Sequence, residues 1–229
     1  MCKLIAWIRG LFGGKPVECT MDLENYRRAP ALRTTVSPAL TVTVGDITRL
    51  DVDAIVNAAN TSLLGGSGVD GAIHRAAGPE LRSYCETLGG CATGEAKTTP
   101  GFSLKARLII HAVGPDMREV PDLEAGIRLL EATYRSVLRE ARANNIQSLA
   151  VPAISCGVYA FPKQTAAAIA VRLLSEAVAA QGKLISVQLV AFDEEMAQVY
   201  RQAIADITRS ADRDRPAKHS AGSKGGNDD

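Results

Sequence analysis

Asn57-Ala58-Ala59-Asn60 is followed by Gly65-Gly66-Ser67-Gly68 and then by Val69-Asp70-Gly71. The apolar run Ala54-Ile55-Val56 precedes them, so the order reads strand, polar loop, then a helix start with a carboxylate at its head. Such a junction suits an anion. Backbone N–H groups approach it without interference from Cβ, and the helix dipole favours negative charge. The same residues would equally serve an ordinary strand-to-helix turn, in which glycine only supplies unusual φ/ψ. The rest of the chain has to decide between the two.

A second glycine-bearing loop, Pro152-Ala153-Ile154-Ser155-Cys156-Gly157-Val158-Tyr159-Ala160-Phe161-Pro162, again joins a strand to a helix. Two such loops at the same end of one sheet could grip a diphosphate from both sides. There is no G-x-x-x-x-G-K-[ST], and the first loop lacks G-x-G-x-x-G spacing, which argues against nucleoside triphosphate hydrolysis and dinucleotide redox chemistry. Cys156 stands beside a helix start, where a nucleophile could sit. A nucleophile needs a histidine base, and His74 and His111 are the candidates inside the domain, with no triad-like arrangement. Cys156 therefore reads as a small loop residue.

The elements that must position these loops are legible in outline. Leu40–Val44 alternates as a strand, closed by Gly45-Asp46-Ile47-Thr48. Ala54–Val56 is a second strand, Val69–Ala77 and Glu80–Leu88 are short helices, and strands follow at Glu95–Thr99 and Arg107–Val113. Asp122 caps a long helix with Leu123, Ile127, Leu130, Tyr134, Val137 and Ala141 on one face. Ser148–Val151 is a strand, and Pro162 opens a helix carrying Ala166, Ile169, Ala170, Leu173 and Ala177. Leu184–Phe192 is a last strand, and Asp193-Glu194-Glu195 start a final helix with Met196, Val199, Ala203 and Ile207 on its apolar side. Strands alternating with helices, several of them continuous apolar runs, predict a three-layer α/β/α domain with a mixed, largely parallel sheet. Ligands of such sheets sit beyond the carboxyl ends of the strands. That rule selects Gly45–Thr48, Asn57–Asp70, Gly114-Pro115, Ser155–Pro162 and Phe192-Asp193.

Composition sets the outer bounds. The 229 residues are 46% hydrophobic and 22% charged, with a formal net charge of +1, enough for one sizeable core and without the basic footprint of a nucleic-acid binder. Five cysteines with no CxxC spacing and three histidines argue against a zinc site or a disulfide framework, and a reducing cytoplasm fits them. Residues 1–38 read as an extension and linker. Within it Leu4, Ile5, Trp7, Ile8, Leu11 and Phe12 lie among Lys3, Arg9 and Lys15. This basic amphipathic stretch of residues 1–14 is too short to span a bilayer; it could touch a membrane surface or a partner weakly, or be a partly ordered extension. Residues 39–209 form the domain, and the polar residues 210–229 read as a disordered tail.

These residues carry a family resemblance. From about Thr41 to Ile207 the chain resembles a macro domain, of the MacroD-type branch that includes bacterial O-acetyl-ADP-ribose deacetylases. The matching segments are Gly45-Asp46-Ile47-Thr48, Ile55 through Asn60, Gly65 through Gly78, His111-Ala112-Val113-Gly114-Pro115, Pro152 through Pro162, and Phe192-Asp193-Glu194-Glu195. The resemblance implies ADP-ribose in a cleft at the strand ends, with no metal and no cofactor. Asp46 and the Ile47 backbone would meet the adenine, whose ring Phe192 would cover. Ser155, Cys156, Gly157 and Val158 would wrap the diphosphate, and Tyr159 the distal ribose. Asn57, Gly65, Gly66, Gly68 and Val69 would add contacts, and Asn60 would point at the ribose hydroxyls. Asp70 would orient or deprotonate a water, and His74 is a structural histidine. The expected ligands are ADP-ribose, O-acetyl-ADP-ribose and mono-ADP-ribosylated proteins. The expected activity is metal-independent hydrolysis of ADP-ribose adducts; the alternatives are a non-catalytic reader, or a binder of RNA or poly-ADP-ribose, which the charge does not favour. Three positions depart from the family pattern: Ser67 and Ala160 replace glycines, and Cys156 stands where threonine is frequent.

Overall fold

The computed structural model describes residues 39–180 and 182–213, so the expectations for residues 1–38 and for 214–229 lie outside the described residues, whereas 210–213, expected in the disordered tail, continue the last helix. Six strands form one sheet: β1 (Leu40–Val44), β2 (Ala54–Ala59), β3 (Ala96–Pro100), β4 (Leu108–Val113), β5 (Ser148–Pro152) and β6 (Ser186–Ala191), in the order β1-β6-β5-β2-β4-β3. Every pairing is parallel except β3 with β4. The mixed, largely parallel sheet expected from the alternation of elements is what forms. The helices are α1 (Gly68–Ala77), α2 (Pro79–Thr87), α3 (Leu123–Ala143), α4 (Lys163–Ala179) and α5 (Glu194–Arg213), with a 3-10 turn at Ile47–Arg49.

On one face, Ile55 and Ala59 of β2 and Ile109 and Val113 of β4 pack with Ile73 and Ala77 of α1 and Leu81 and Cys85 of α2. Side chains alternate along a strand, so Asn57 and His111 project to this same face. The other face is covered by α3, α4 and α5. Asp122 caps α3 by accepting from the Ala125 N–H at 2.7 Å, and Asp193 does the same for α5 at the Met196 N–H, 2.8 Å. One-sided amphipathicity holds for α3 but not for α4, where Thr165, Ala167, Val171, Leu174 and Ser175 are buried along with the expected face. Helix α4 lies between α3 and α5 as well as on the sheet, so more of its circumference is covered. Tyr200 of α5, also buried, belongs to the same layer.

The ends of the strands matter most. Because β1, β6, β5, β2 and β4 run parallel, their following loops emerge along one edge. β2 pairs with β4 from Ala54↔Leu108 through Ala59↔Val113, but with β5 only at Ala54↔Leu149 and Ile55↔Ala150. Beyond Ile55 the two strands part, and their loops lead to opposite sides of the sheet order. That is the topological switch point at which ligands of open α/β sheets bind.

Candidate active site at the switch point

The loops occur along the edge in a fixed sequence. Asp46 follows β1 and Phe192 follows β6, adjacent because Val44 pairs with Ala191. Next comes the Ser155–Tyr159 loop from β5, then Asn60–Asp70 from β2, then Gly114-Pro115 from β4. From β1 to β2 the span is three strand spacings, about 14 Å, long enough for an extended nucleotide-like ligand. Phe192 is 93% exposed, which excludes a core role and leaves a bare aromatic platform. Asp46 is partly committed: its Oδ1 accepts from the Thr48 N–H at 3.0 Å and hydroxyl at 2.7 Å, capping the 3-10 turn. Those bonds, chiefly the hydroxyl one, hold its carboxyl below the usual range. Oδ2, 3.5 Å from Arg49 Nε, retains lone pairs for a ligand. Ile47 is buried, and among the described residues its N–H makes no hydrogen bond.

In the β5 loop, the N–H groups of Gly157, Val158 and Tyr159 have no hydrogen-bond partner among the described residues, as anion binding requires. The loop is closed by Ala160 N–H to Gly157 O and Phe161 N–H to Ser155 O, both 3.0 Å. Met117 N–H donates to Tyr159 O, 3.0 Å, tying this loop to the one after β4. The thiol of Cys156 is pushed up to about 12 by burial and lies 3.5 Å from Ile154 O, which suits a packing residue. The Ser155 hydroxyl is buried without a partner, so here the backbone, not the side chain, is what the loop offers. Ala160 has φ +54°, confirming that the position vacated by glycine is left-handed. Ser67, by contrast, has φ −99° and ψ 177°, extended backbone that any residue adopts, and its side chain makes no capping bond.

The β2 loop brings the carboxamides and the carboxylate together. Asp70, 4% exposed, accepts from Asn57 Nδ2 at 2.7 Å through Oδ1, which also lies 3.5 Å from His74 Nε2. Its Oδ2 has no hydrogen-bond partner among the described residues. Gly66 keeps the space before it open: a Cβ there would lie 2.9 Å from Oδ2 and 3.3 Å from Asn60 Nδ2. Gly71 is needed one layer behind, where a Cβ would overlap the Gly66 carbonyl oxygen. Burial raises the Asp70 carboxyl above its ordinary value, opposed by the Asn57 hydrogen bond and then by His74; burial lowers His74, opposed by Asp70.

Two residues differ from expectation. Asn57 was expected to touch ligand, but it is wholly buried, and its carboxamide holds Asp70 instead. Asn60 is largely spent on the loop: Nδ2 donates to Gly65 O at 3.0 Å, and Oδ1 accepts from the Ser62 N–H at 3.0 Å and hydroxyl at 2.6 Å. One N–H of Asn60 remains for a ligand. Residue types alone missed Thr99 and named His111 only as a candidate base, not as a buried neighbour of Asn57, although a histidine within Leu108–Val113, like an asparagine within Ala54–Ala59, was a visible polar interruption of an apolar run. His74, Cys85 and His111 also come within 4.8 Å of one another, a convergence that sequence spacing did not reveal. Both nitrogens of His111 already face polar partners, Asn57 and Thr99.

A parallel sheet that parts at its switch point, with loops of unpartnered N–H groups beside the gap and a buried carboxylate at its floor, has the geometry to receive an anionic ligand. Comparison with known proteins gives the family. The macro domain model matches residues 56–170. A macro domain-containing protein of Mesorhizobium japonicum is 53% identical over 165 residues, 72% of this chain and 93% of that one. An O-acetyl-ADP-ribose deacetylase of Salmonella gallinarum is 50% identical over 169 residues, with the same coverages of 72% and 93%. Among solved structures, a mutant Oceanobacillus iheyensis macrodomain with ADP-ribose superposes with TM-score 0.69 at 40% identity, covering 74% of this chain and 94% of that one. The chain belongs to the macro domain family.

Proposed function

We propose that the protein hydrolyses ADP-ribose adducts, deacetylating O-acetyl-ADP-ribose and releasing ADP-ribose from acidic side chains of modified proteins. The observation that carries this is Asp70: a carboxylate at the floor of the gap, held by Asn57 through one oxygen and open toward Gly66 through the other. The adenine lies against Phe192 near Asp46, the diphosphate takes the free N–H groups of Gly157–Tyr159 and of the Gly65–Val69 turn, and the distal ribose reaches Asn60 and Asp70. Asp70 Oδ2 accepts a proton from water. The resulting nucleophile attacks the ester carbonyl or the anomeric carbon, and either course yields one carboxylic acid and one free sugar hydroxyl. The raised carboxyl makes Asp70 a better base than an exposed aspartate, and the Asn57 donor opposes that rise. The similar Salmonella protein, named a deacetylase, and the ADP-ribose held by the similar Oceanobacillus macrodomain support the same reading.

The test compares wild type with Asp70→Ala on O-acetyl-ADP-ribose and on a protein mono-ADP-ribosylated at glutamate, measuring ADP-ribose affinity in parallel. Loss of about 100-fold or more in kcat with affinity kept supports the assignment. Unchanged turnover in the variant removes Asp70 from the mechanism, and binding without turnover in wild type makes the protein a reader.

A further inference from the structure

Behind Asp70 lies a run of buried polar groups whose hydrogen bonds lead away from Asn57 in both directions. Asn57 Nδ2 is 2.7 Å from Asp70 Oδ1 and 3.1 Å from His111 Nδ1, so its two hydrogens serve one neighbour each. His111 Nδ1 must then be an acceptor, which places the ring proton on Nε2. The far side of the ring fits the same assignment. The Thr99 hydroxyl, which donates to Pro100 O at 3.1 Å, accepts from His111 Nε2, 3.0 Å away, and Cys85 Sγ lies 3.9 Å from the same nitrogen. Asn57 and His111 are direct register partners on β2 and β4, and both are fully buried, with Thr99 1% exposed. No solvent reaches this chain to relax it. In the other tautomer an Nδ1–H would face Asn57 and turn its amide about, setting Asn57 Oδ1 against Asp70 Oδ1. The observed orientation leaves Asn57 Oδ1 buried without a partner, so the amide is set to hold Asp70 at the expense of its own acceptor.

We propose that His111 is a positioning residue of the hydrolase site: its Nε2–H tautomer, anchored by Thr99, directs the Asn57 carboxamide and thereby holds Asp70 with Oδ2 free toward the ligand. This rests on the hydrolase reading above. The titratable groups around Asp70 are His74 on its own helix, Cys85 on α2, His111 on β4 and Tyr159 from the β5 loop. Of the groups around it, the Asn57 donor is the largest influence that lowers the carboxyl. Misdirecting that donor moves the acid limb of the kcat profile to higher pH. His111 itself stays neutral throughout, since burial and then His74 bring it down to about 3.

The experiment has two parts, both on the full chain. Histidine 15N NMR of the wild type reads the tautomer directly; a proton on Nδ1 overturns the proposal. Two variants then separate the ends of the ring. His111→Asn places a carbonyl oxygen near the Nδ1 position and keeps an acceptor for Asn57, whereas His111→Gln reaches only toward Thr99. The Gln variant is expected to lose about tenfold or more in kcat, with its acid limb raised and ADP-ribose affinity within about threefold of wild type. The Asn variant is expected to recover most of the rate and the wild-type pH profile. Equal activity in the two, or equal losses matched by equal drops in melting temperature, overturns the positioning role. Wild type that binds ADP-ribose without turning over substrate fails the hydrolase reading instead, and this proposal with it.

Discussion

Asp70 illustrates how a carboxylate is held against its own solvation. Its folded carboxyl is raised above the ordinary 3.8, chiefly by burial, so the stability linked to it is complete below that value and is lost as pH rises through the raised one. At neutral pH the native state carries that deficit. Asp70→Asn removes the charge and keeps an acceptor for Asn57, so we predict an equal or higher melting temperature at pH 7, about 2–4 °C per kcal/mol recovered, together with loss of turnover. In wild type the acid limb of kcat/KM should fall above pH 3.8; a limb at or below that value would remove the buried carboxylate from the rate law. Phe192 presents the opposite case, exposed and free of structural duty. Phe192→Ala should leave stability within about 0.5 kcal/mol while ADP-ribose affinity falls by about 1–3 kcal/mol, the worth of one base stacked on an aromatic face; titration calorimetry and thermal melting separate the two. Its place in the motif was legible from sequence. The inward role of Asn57 was not, because residue type cannot tell a carboxamide that faces the cleft from one that holds a buried carboxylate behind it.

At the scale of elements, two junctions invite measurement. Ala160 sits at φ +54° in the β5 loop, where an L side chain crowds its own carbonyl. Ala160→Gly should stabilise the protein by about 1 kcal/mol, while a more mobile loop weakens ADP-ribose binding; a destabilised variant would mean that the loop relieves this strain elsewhere. Asp53 joins the starts of β2 and β5. Its Oδ2 accepts from the Gln147 and Ser148 N–H groups at 2.8 and 2.9 Å, and its own N–H donates to the Ser148 hydroxyl at 2.8 Å. Burial alone would raise the carboxyl, but these bonds bring it below 3.8, so its contribution is present above that pH and lost as pH falls through the lowered value. Asp53→Asn should cost about 1–2 kcal/mol at pH 7, with the gap to wild type closing in acid melts. Periodicity located most of the elements to within a residue or two, because alternation and helical spacing are local. It could not show that α4 would be covered on several sides, since that follows from the helices that become its neighbours.

The whole molecule arranges its loops in one line along the sheet edge, and the line has consequences for how a ligand is read. An adenine-end fragment such as AMP and a ribose-end fragment such as ribose 5-phosphate should bind to separate stretches of it. Phe192→Ala should weaken the first and leave the second unchanged, and simultaneous occupancy should be detectable by calorimetry. Mutual exclusion of the two fragments would contradict the order of the loops. No helix among the described residues is long and apolar enough to cross a membrane. The order itself was beyond sequence, which named the five loops but could not rank them, because strand order depends on pairings made far apart in the chain. The gap between β2 and β5 has a further property. It arises where the β2–β5 ladder stops after Ile55, each strand staying paired on its other side. Substitution in the loops can therefore change what lines the gap without restoring that ladder. The opening is thus a matter of strand register, and the chemistry of the loops around it can vary separately.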